Sequence, residues 1–272
     1  MLRVTPLLTG RVRIHAAQVE PRKEGLTRVA QTVFGREWTD WLPAWSWAIE
    51  HPDGLIVVDA GVIAHFVAPW WDVYHRIALR ADVRPEDDLL ARLREHGYDP
   101  ADVRRHVATH LHIDHVGRLG ALPSAEVVLS EREWRAATSR TGRARGLMLS
   151  PEARLRARPV VFSDAGDAPF PSVHRLTADG AVTLLPTPGH SPGHMSVLVD
   201  GRLLIVGDAV YSERQLQGGW IDGISPDPAA AHESIRRLRE LCLKTPTVLL
   251  PTHEPAVPEL LAAGRAASPA AS

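Results

Sequence analysis

Cysteine is almost missing from this chain of 272 residues: Cys242 is its one thiol, so no disulfide can form within it. The spacing of Ile235, Leu238, Leu241 and Cys242 places that thiol on the apolar face of a helix, as a buried structural group. Lysine occurs only at Lys23 and Lys244, and arginine supplies the other basic side chains. Neither sign of charge dominates: the net charge is -1, which gives no global attraction to nucleic acid or to an anionic membrane. No apolar run reaches membrane-spanning length. Residues Met1 to Ile14 interleave Arg3, Arg11 and Arg13 with short apolar stretches and lack the features of a secretory signal, so the expectation is a cytoplasmic protein.

A hydrophobic fraction of 44% over this length permits a well-buried core, in one large α/β domain or two small ones. Residues 262–272 are small and weakly patterned and read as a flexible tail, leaving 1–261 as the folded part. Between Trp45 and Gly61, two strands are expected around a turn at Pro52, Asp53 and Gly54, with Asp59 at a strand end. Pro85 to His96 reads as a helix stopped by Gly97, with Leu89, Leu90 and Leu93 facing inward. Further strands are expected at Val103 to Thr109, Ala125 to Leu129, Val182 to Leu185, Ser196 to Val199, Leu203 to Val206 and Thr247 to Leu250. Helices are expected at Ser130 to Thr138 and from Pro228 to Leu243, the latter capped by Asp227. Eight arginines, Arg132, Arg135, Arg140, Arg143, Arg145, Arg154, Arg156 and Arg158, read as a solvated surface in preference to an anion-binding lid.

Against this ordinary background stand seven residues. His110, His112, Asp114 and His115 form one H-x-H-x-D-H loop, and His190, Asp208 and His253 follow far downstream. A lone histidine is most often a satisfied core or surface residue; four potential metal ligands in six positions are not explained that way. Imidazole nitrogen with carboxylate oxygen is the donor set that binds Zn²⁺ or a similar divalent ion, and these ligand types leave iron, manganese and cobalt open. His110, His190, Asp208 and His253 each follow an apolar strand, and strand ends hold ligands rigidly. Within the loop, His110 and His112 can serve one ion while Asp114 and His115 turn to a second. Asp208, after Gly207, is the candidate bridge, with His190 and His253 completing the two sets. Two cations about 3.5 to 4 Å apart would acidify a bridging water to hydroxide and polarise a carbonyl, which makes a hydrolase without a serine or cysteine nucleophile.

The segments T-H-L-H-I-D-H, T-P-G-H-S-P-G-H, G-D-A-V-Y and P-T-H-E, in this order and spacing, resemble the metallo-β-lactamase superfamily. The resemblance implies a single α/β domain, a four-layer αβ/βα sandwich with a dinuclear metal site at one edge of its two sheets. Tyr211, three residues after Asp208, and the segment P-A-W-S-W-A-I-E-H-P-D-G-L-I-V-V-D-A-G resemble the N-acyl homoserine lactone lactonases. That likeness implies that Tyr211 contacts the lactone carbonyl and that Asp114 protonates the leaving alkoxide. It places Asp59 and His194 behind the metal ligands, orienting them without being ligands, and it implies a homodimer. A half-buried packing role is the ordinary alternative for a tyrosine after a strand.

The chain departs from the family where many members carry a glycine pair and it has Gly117-Arg118, so Arg118 points either to a pocket or to solvent. Trp38, Trp41, Trp45, Trp47, Trp70 and Trp71 could line an acyl pocket or serve packing equally well, and no substrate-binding residue is assigned. Other targets for the same machinery are a different lactone, a glutathione thioester or a phosphotriester. Nucleic-acid processing has only the arginine-rich segment behind it, an iron oxidoreductase lacks a flavin or rubredoxin-like module, and an open dinuclear site is already more than a metal-binding scaffold.

Overall fold

Arginines at every second or further position make the first segment a strand with one wet face. Residues Arg3–Ile14 form β1, which buries Thr5, Leu7 and Thr9 and then, past a register shift between Leu8 and Arg11 that changes the face, Val12 and Ile14, while Arg3 and Arg13 stay exposed. In the computed structural model, which describes residues 1–64 and 73–268, the chain divides into two compact units. The first comprises Met1–His15 and Trp38–Val160; the second comprises Ala16–Glu37 and Val161–Ser272.

The first unit is built on a seven-stranded sheet. Its strands are β1, β2 (Leu42–Glu50), β3 (Leu55–Val58), β4 (Leu79–Asp82), β5 (Val103–Val107), β6 (Glu126–Ser130) and β7 (Ala157–Val160), in the order β4-β1-β2-β3-β5-β6-β7. β2 and β3 pair antiparallel, with Trp47 opposite Val58, across the expected turn. β3, β5, β6 and β7 run parallel, and β3, the continuous apolar run Leu55–Val58, is buried throughout. The ends of β3 and β5 therefore lie side by side, placing Asp59 next to the start of the histidine loop.

The helix expected from Pro85 is shorter. Pro85–Asp87 form a separate 3₁₀ turn and the α-helix runs Leu89–Glu95, because the Asp88 side chain accepts from the Leu90 and Ala91 N–H groups as its N-cap. Asp87 instead binds Arg92 at 2.6 Å. All eight arginines between 132 and 158 are exposed, as a solvated surface requires. Trp47 is fully buried, Trp41 is 46% exposed, and Trp70 and Trp71 lie outside the described residues. Arg118 pairs with Asp88, is half exposed and lines a cavity with Val116, Gly117 and Met148.

The second unit carries a six-stranded sheet, β8 (Asp164–Ala165), β9 (Ser172–Arg175), β10 (Val182–Pro186), β11 (Met195–Val199), β12 (Leu203–Gly207) and β13 (Val248–Pro251), ordered β13-β12-β11-β10-β9-β8. Only β12 and β13 pair in parallel, so both strands deliver their following residues, Asp208 and His253, at the same end. The helix Pro228–Lys244 is capped by Asp227 and buries Ile235, Leu238 and Cys242. Each fully buried aliphatic side chain of this kind contributes about 1.5–3 kcal/mol. Of residues 262–272, Arg265 pairs with Glu213, Ala267 N–H bonds the Thr247 carbonyl at 2.8 Å, and Ser268 N–H bonds Glu213 at 2.7 Å.

Candidate metal centre

The donors of the first unit hang from a loop whose alternate residues are anchored in its core. Leu111 and Ile113 are fully buried, and so are His110 and His115. The backbone is held by Leu111 N–H on Glu133 Oε1 at 3.1 Å, Met148 N–H on the Leu111 carbonyl at 2.8 Å and Ile63 N–H on the Ile113 carbonyl at 2.9 Å. His110 Nε2 and His112 Nδ1 are 3.0 Å apart, and His115 Nε2 is 3.8 Å from Asp114 Oδ1. The loop thus presents two donor pairs, His110 with His112 and Asp114 with His115.

Asp59 holds this loop from behind. Its carboxylate accepts the Thr109 N–H at 2.8 Å and the Thr109 hydroxyl at 2.9 Å, and lies 2.9 Å from His115 Nδ1. The residue adopts φ +58, a left-handed conformation that costs a non-glycine residue free energy, offset here by these hydrogen bonds. His106 Nε2 donates to the Asp59 carbonyl at 3.1 Å. Complete burial drives the His106 pKa down to about 4, the bond to Asp59 opposing only part of that shift.

In the second unit Asp208 is the centre. Its Oδ2 is 3.5 Å from His190 Nε2, and its Oδ1 is 3.4 Å from His253 Nε2. One carboxylate therefore offers a different oxygen to each of two imidazoles. Gly207, with φ +57, makes the turn from β12 that aims it. His194 sits behind: its Nε2 accepts the Asp208 N–H at 3.1 Å, while its Nδ1 is 2.9 Å from the Thr187 hydroxyl. Both ring nitrogens of His194 are thereby used in positioning.

Tyr211 is 4% exposed, stacks on His253 with ring centroids 5.5 Å apart, and donates its hydroxyl to Asp208 Oδ2 at 3.0 Å. Two further residues escaped the sequence reading. Gln18 donates through Nε2 to the Tyr211 oxygen at 3.0 Å, and Asp222 Oδ2 lies 3.2 Å from His190 Nδ1. Burial raises the Asp222 pKa, but the charge of His190 and the bonds from His190, Ser225 and Ile224 outweigh it and hold the carboxyl below its usual range. Neither residue belongs to a spaced motif, and no signal in the sequence marks them.

The donor geometry fits a divalent ion. Four ligands at about 2.0–2.1 Å around a tetrahedral ion stand about 3.3 Å from one another, and the four separations within the units, 3.0, 3.8, 3.5 and 3.4 Å, cluster there. The far nitrogens of His115 and His190 each face a buried carboxylate, the arrangement that fixes a ligating imidazole's tautomer and direction.

Two sheets with flanking helices and buried His/Asp donors at strand ends define a class, and the chain belongs to it: residues 39–253 match the metallo-β-lactamase superfamily. Within that family it is similar to the N-acyl homoserine lactonase AttM of Azorhizobium caulinodans, at 28% identity over 225 residues, covering 79% of this chain and 82% of the relative. It is equally similar to the N-acyl homoserine lactonase AiiA of Bacillus thuringiensis subsp. kurstaki, at 28% identity over 221 residues, 78% of this chain and 82% of the other. Among solved structures, a B. thuringiensis AiiA variant with N-decanoyl-L-homoserine bound at its active site matches with TM-score 0.73 at 23% identity, covering 94% of both chains. AidC, a dizinc quorum-quenching lactonase in complex with a product, matches with TM-score 0.64 at 16% identity, covering 93% of this chain and 88% of AidC. The expected metallo-β-lactamase fold is borne out by these likenesses.

Proposed function

We propose that this chain opens the lactone ring of N-acyl homoserine lactones, with two divalent ions, zinc by donor type, held by His110, His112, Asp114, His115, His190, Asp208 and His253. The observation that carries the reading is the Asp208 carboxylate, which offers one oxygen beside His190, the other beside His253, and accepts the Tyr211 hydroxyl on the first. When bound, the ions supply an acidified water and Lewis acidity toward the lactone carbonyl. Tyr211 O–H turns from Asp208 to the carbonyl oxygen as negative charge develops there. Asp114 takes the proton that the attacking water gives up and passes it to the ring oxygen as the ester C–O bond breaks. One water is consumed, and the acyl homoserine leaves with a free hydroxyl and a carboxylic acid that releases its proton. Asp59 and His194 keep the ligands in place. The names of AttM, AiiA and AidC support this substrate class.

We take residues 1–261 as one functional domain acting as a homodimer in the cytoplasm, with no nucleic acid or membrane partner. No helix among the described residues is long and apolar enough to cross a membrane. The test is proton release from a medium-chain N-acyl homoserine lactone by protein of measured metal content, beside Tyr211→Phe and a glutathione thioester control. Metal-dependent lactone turnover, lowered about tenfold to a hundredfold in the variant, is the expected result. Metal-loaded protein that ignores the lactone and cleaves the thioester would overturn it.

A further inference from the structure

Residues 16–37 depart from the first unit's sheet between β1 and β2 and are sewn onto the segment 211–225 of the second. Gly223 N–H bonds the Gln18 carbonyl at 2.8 Å, Trp220 Nε1 bonds the Val19 carbonyl at 3.0 Å, and Arg28 bonds the carbonyls of Asp222 and Ser225. The approach is close: a Cβ at Gly223 would collide with the Thr32 hydroxyl and the Ala17 carbonyl. The helix Gly25–Phe34 turns its polar Arg28 and Thr32 inward while Leu26 and Phe34 are exposed, the reverse of an ordinary amphipathic helix. Hydrogen bonding therefore decides where this excursion sits, and Gln18, 5% exposed, is buried along with Arg28 and Thr32.

We infer that Gln18 is a positioning residue that sets the direction of the Tyr211 hydroxyl proton. An amide nitrogen can only donate, so the Tyr211 oxygen accepts from Gln18 Nε2 at 3.0 Å and its own proton must point elsewhere. It points to Asp208 Oδ2, also at 3.0 Å. The ring is held by its stacking on His253 and the backbone by Tyr211 N–H on Gln215 Oε1 at 2.7 Å, and Gln18, by occupying one lone pair of the phenol oxygen, keeps the proton on the opposite side, where it rests on Asp208 Oδ2 and from which it turns to the carbonyl oxygen. A phenol that accepts one hydrogen bond also donates a stronger one, so Gln18 both aims and strengthens the O–H. This assigns the excursion 16–37 a task in the chemistry and rests on the role given to Tyr211 above.

The test uses the metal-loaded full chain with Gln18→Met, which keeps the length and removes the donor, and Gln18→Glu, which offers an acceptor and reverses the bond. First, the Cζ resonance of Tyr211 is read at fixed neutral pH without substrate, assigned by its loss in Tyr211→Phe. It is expected to move in both Gln18 variants, because each removes the bond donated to the Tyr211 oxygen. Second, lactone kcat is expected to fall about fivefold to tenfold in Gln18→Met with KM unchanged, and the same substitution in a Tyr211→Phe background is expected to change nothing further. Equal losses in both backgrounds, or an unmoved resonance in variants that fold, would overturn the inference. Should Gln18→Met fail to fold, Gln18→Glu carries the resonance test alone. Absent lactone turnover with the expected resonance shifts would sink the proposed substrate and leave Gln18 in its role.

Discussion

The Asp59 carboxylate and His115 Nδ1 stand 2.9 Å apart, both completely shielded from water. Asp59 also takes both donors of Thr109, so one side chain fixes the start and the end of the donor loop. Asp59→Ala would leave three buried donors unmatched, and a loss of about 2–4 kcal/mol of unfolding free energy is expected from urea titration. Metal affinity, read by chelator competition, is expected to drop about tenfold to a hundredfold. Unchanged affinity would remove Asp59 from the site.

His106 supplies a pH dependence. Its pKa falls from 6.5 to about 4 in the fold because burial penalises the charged ring. Between those values the unfolded chain binds a proton that the folded chain does not, so stability rises with pH across this window, is complete above about 6.5, and is lost as pH falls toward 4. The span corresponds to about 3 kcal/mol. His106→Gln keeps a donor for the Asp59 carbonyl and cannot titrate. Unfolding free energies measured from pH 4.5 to 7 should show a shallower slope in the variant than in the parent.

Withdrawal of metal is a third test. The donor pairs bring buried nitrogens and carboxylate oxygens to 3.0–3.8 Å, an arrangement that a bound cation stabilises. Ions in hundredfold excess over Kd would add about 3 kcal/mol to the folded state, or about 5–10 °C in Tm for a chain of this size. Exhaustive chelation followed by a zinc titration in a thermal melt should lower and then restore Tm by that amount. A Tm indifferent to both would show that the donors hold no ion.

What the sequence made legible follows from periodicity and spacing. The helix Pro228–Lys244 carries its cap, its first-turn proline and its apolar stripe within one continuous stretch, and its extent is readable to within a residue. The donor loop is legible because four potential ligands, three histidines and an aspartate, fall in six positions. β1 was not assigned as a strand, since Arg3, Arg11 and Arg13 break its apolar content and only the pairing with β2 and β4 explains them. Gln18 and Asp222 are separated from their partners Tyr211 and His190 by 193 and 32 residues, and such contacts leave no local pattern. They exist only once the chain has folded.

Asp222 offers the sharpest of these tests, because only one of its oxygens faces His190, the oxygen that also accepts the Ser225 hydroxyl. Oδ1 accepts the Ile224 and Ser225 N–H groups at 2.8 and 2.7 Å, which shapes the loop, while Oδ2 faces His190 Nδ1 at 3.2 Å. Asp222→Asn can keep the loop by leaving its carbonyl oxygen on the two N–H groups, with the Ser225 hydroxyl turning from donor to acceptor, and it then turns an N–H₂ toward His190. Two donors would face each other, and the imidazole must flip its tautomer or swing away, which withdraws Nε2 from ligation. Asp222→Ala removes both duties. The expected pattern is therefore a split: Asp222→Asn retains most of its Tm but binds metal about tenfold more weakly, whereas Asp222→Ala loses both. Equal metal affinity in Asp222→Asn and the parent, measured by competition with a chromogenic chelator, would show that His190 is oriented by something other than this carboxylate.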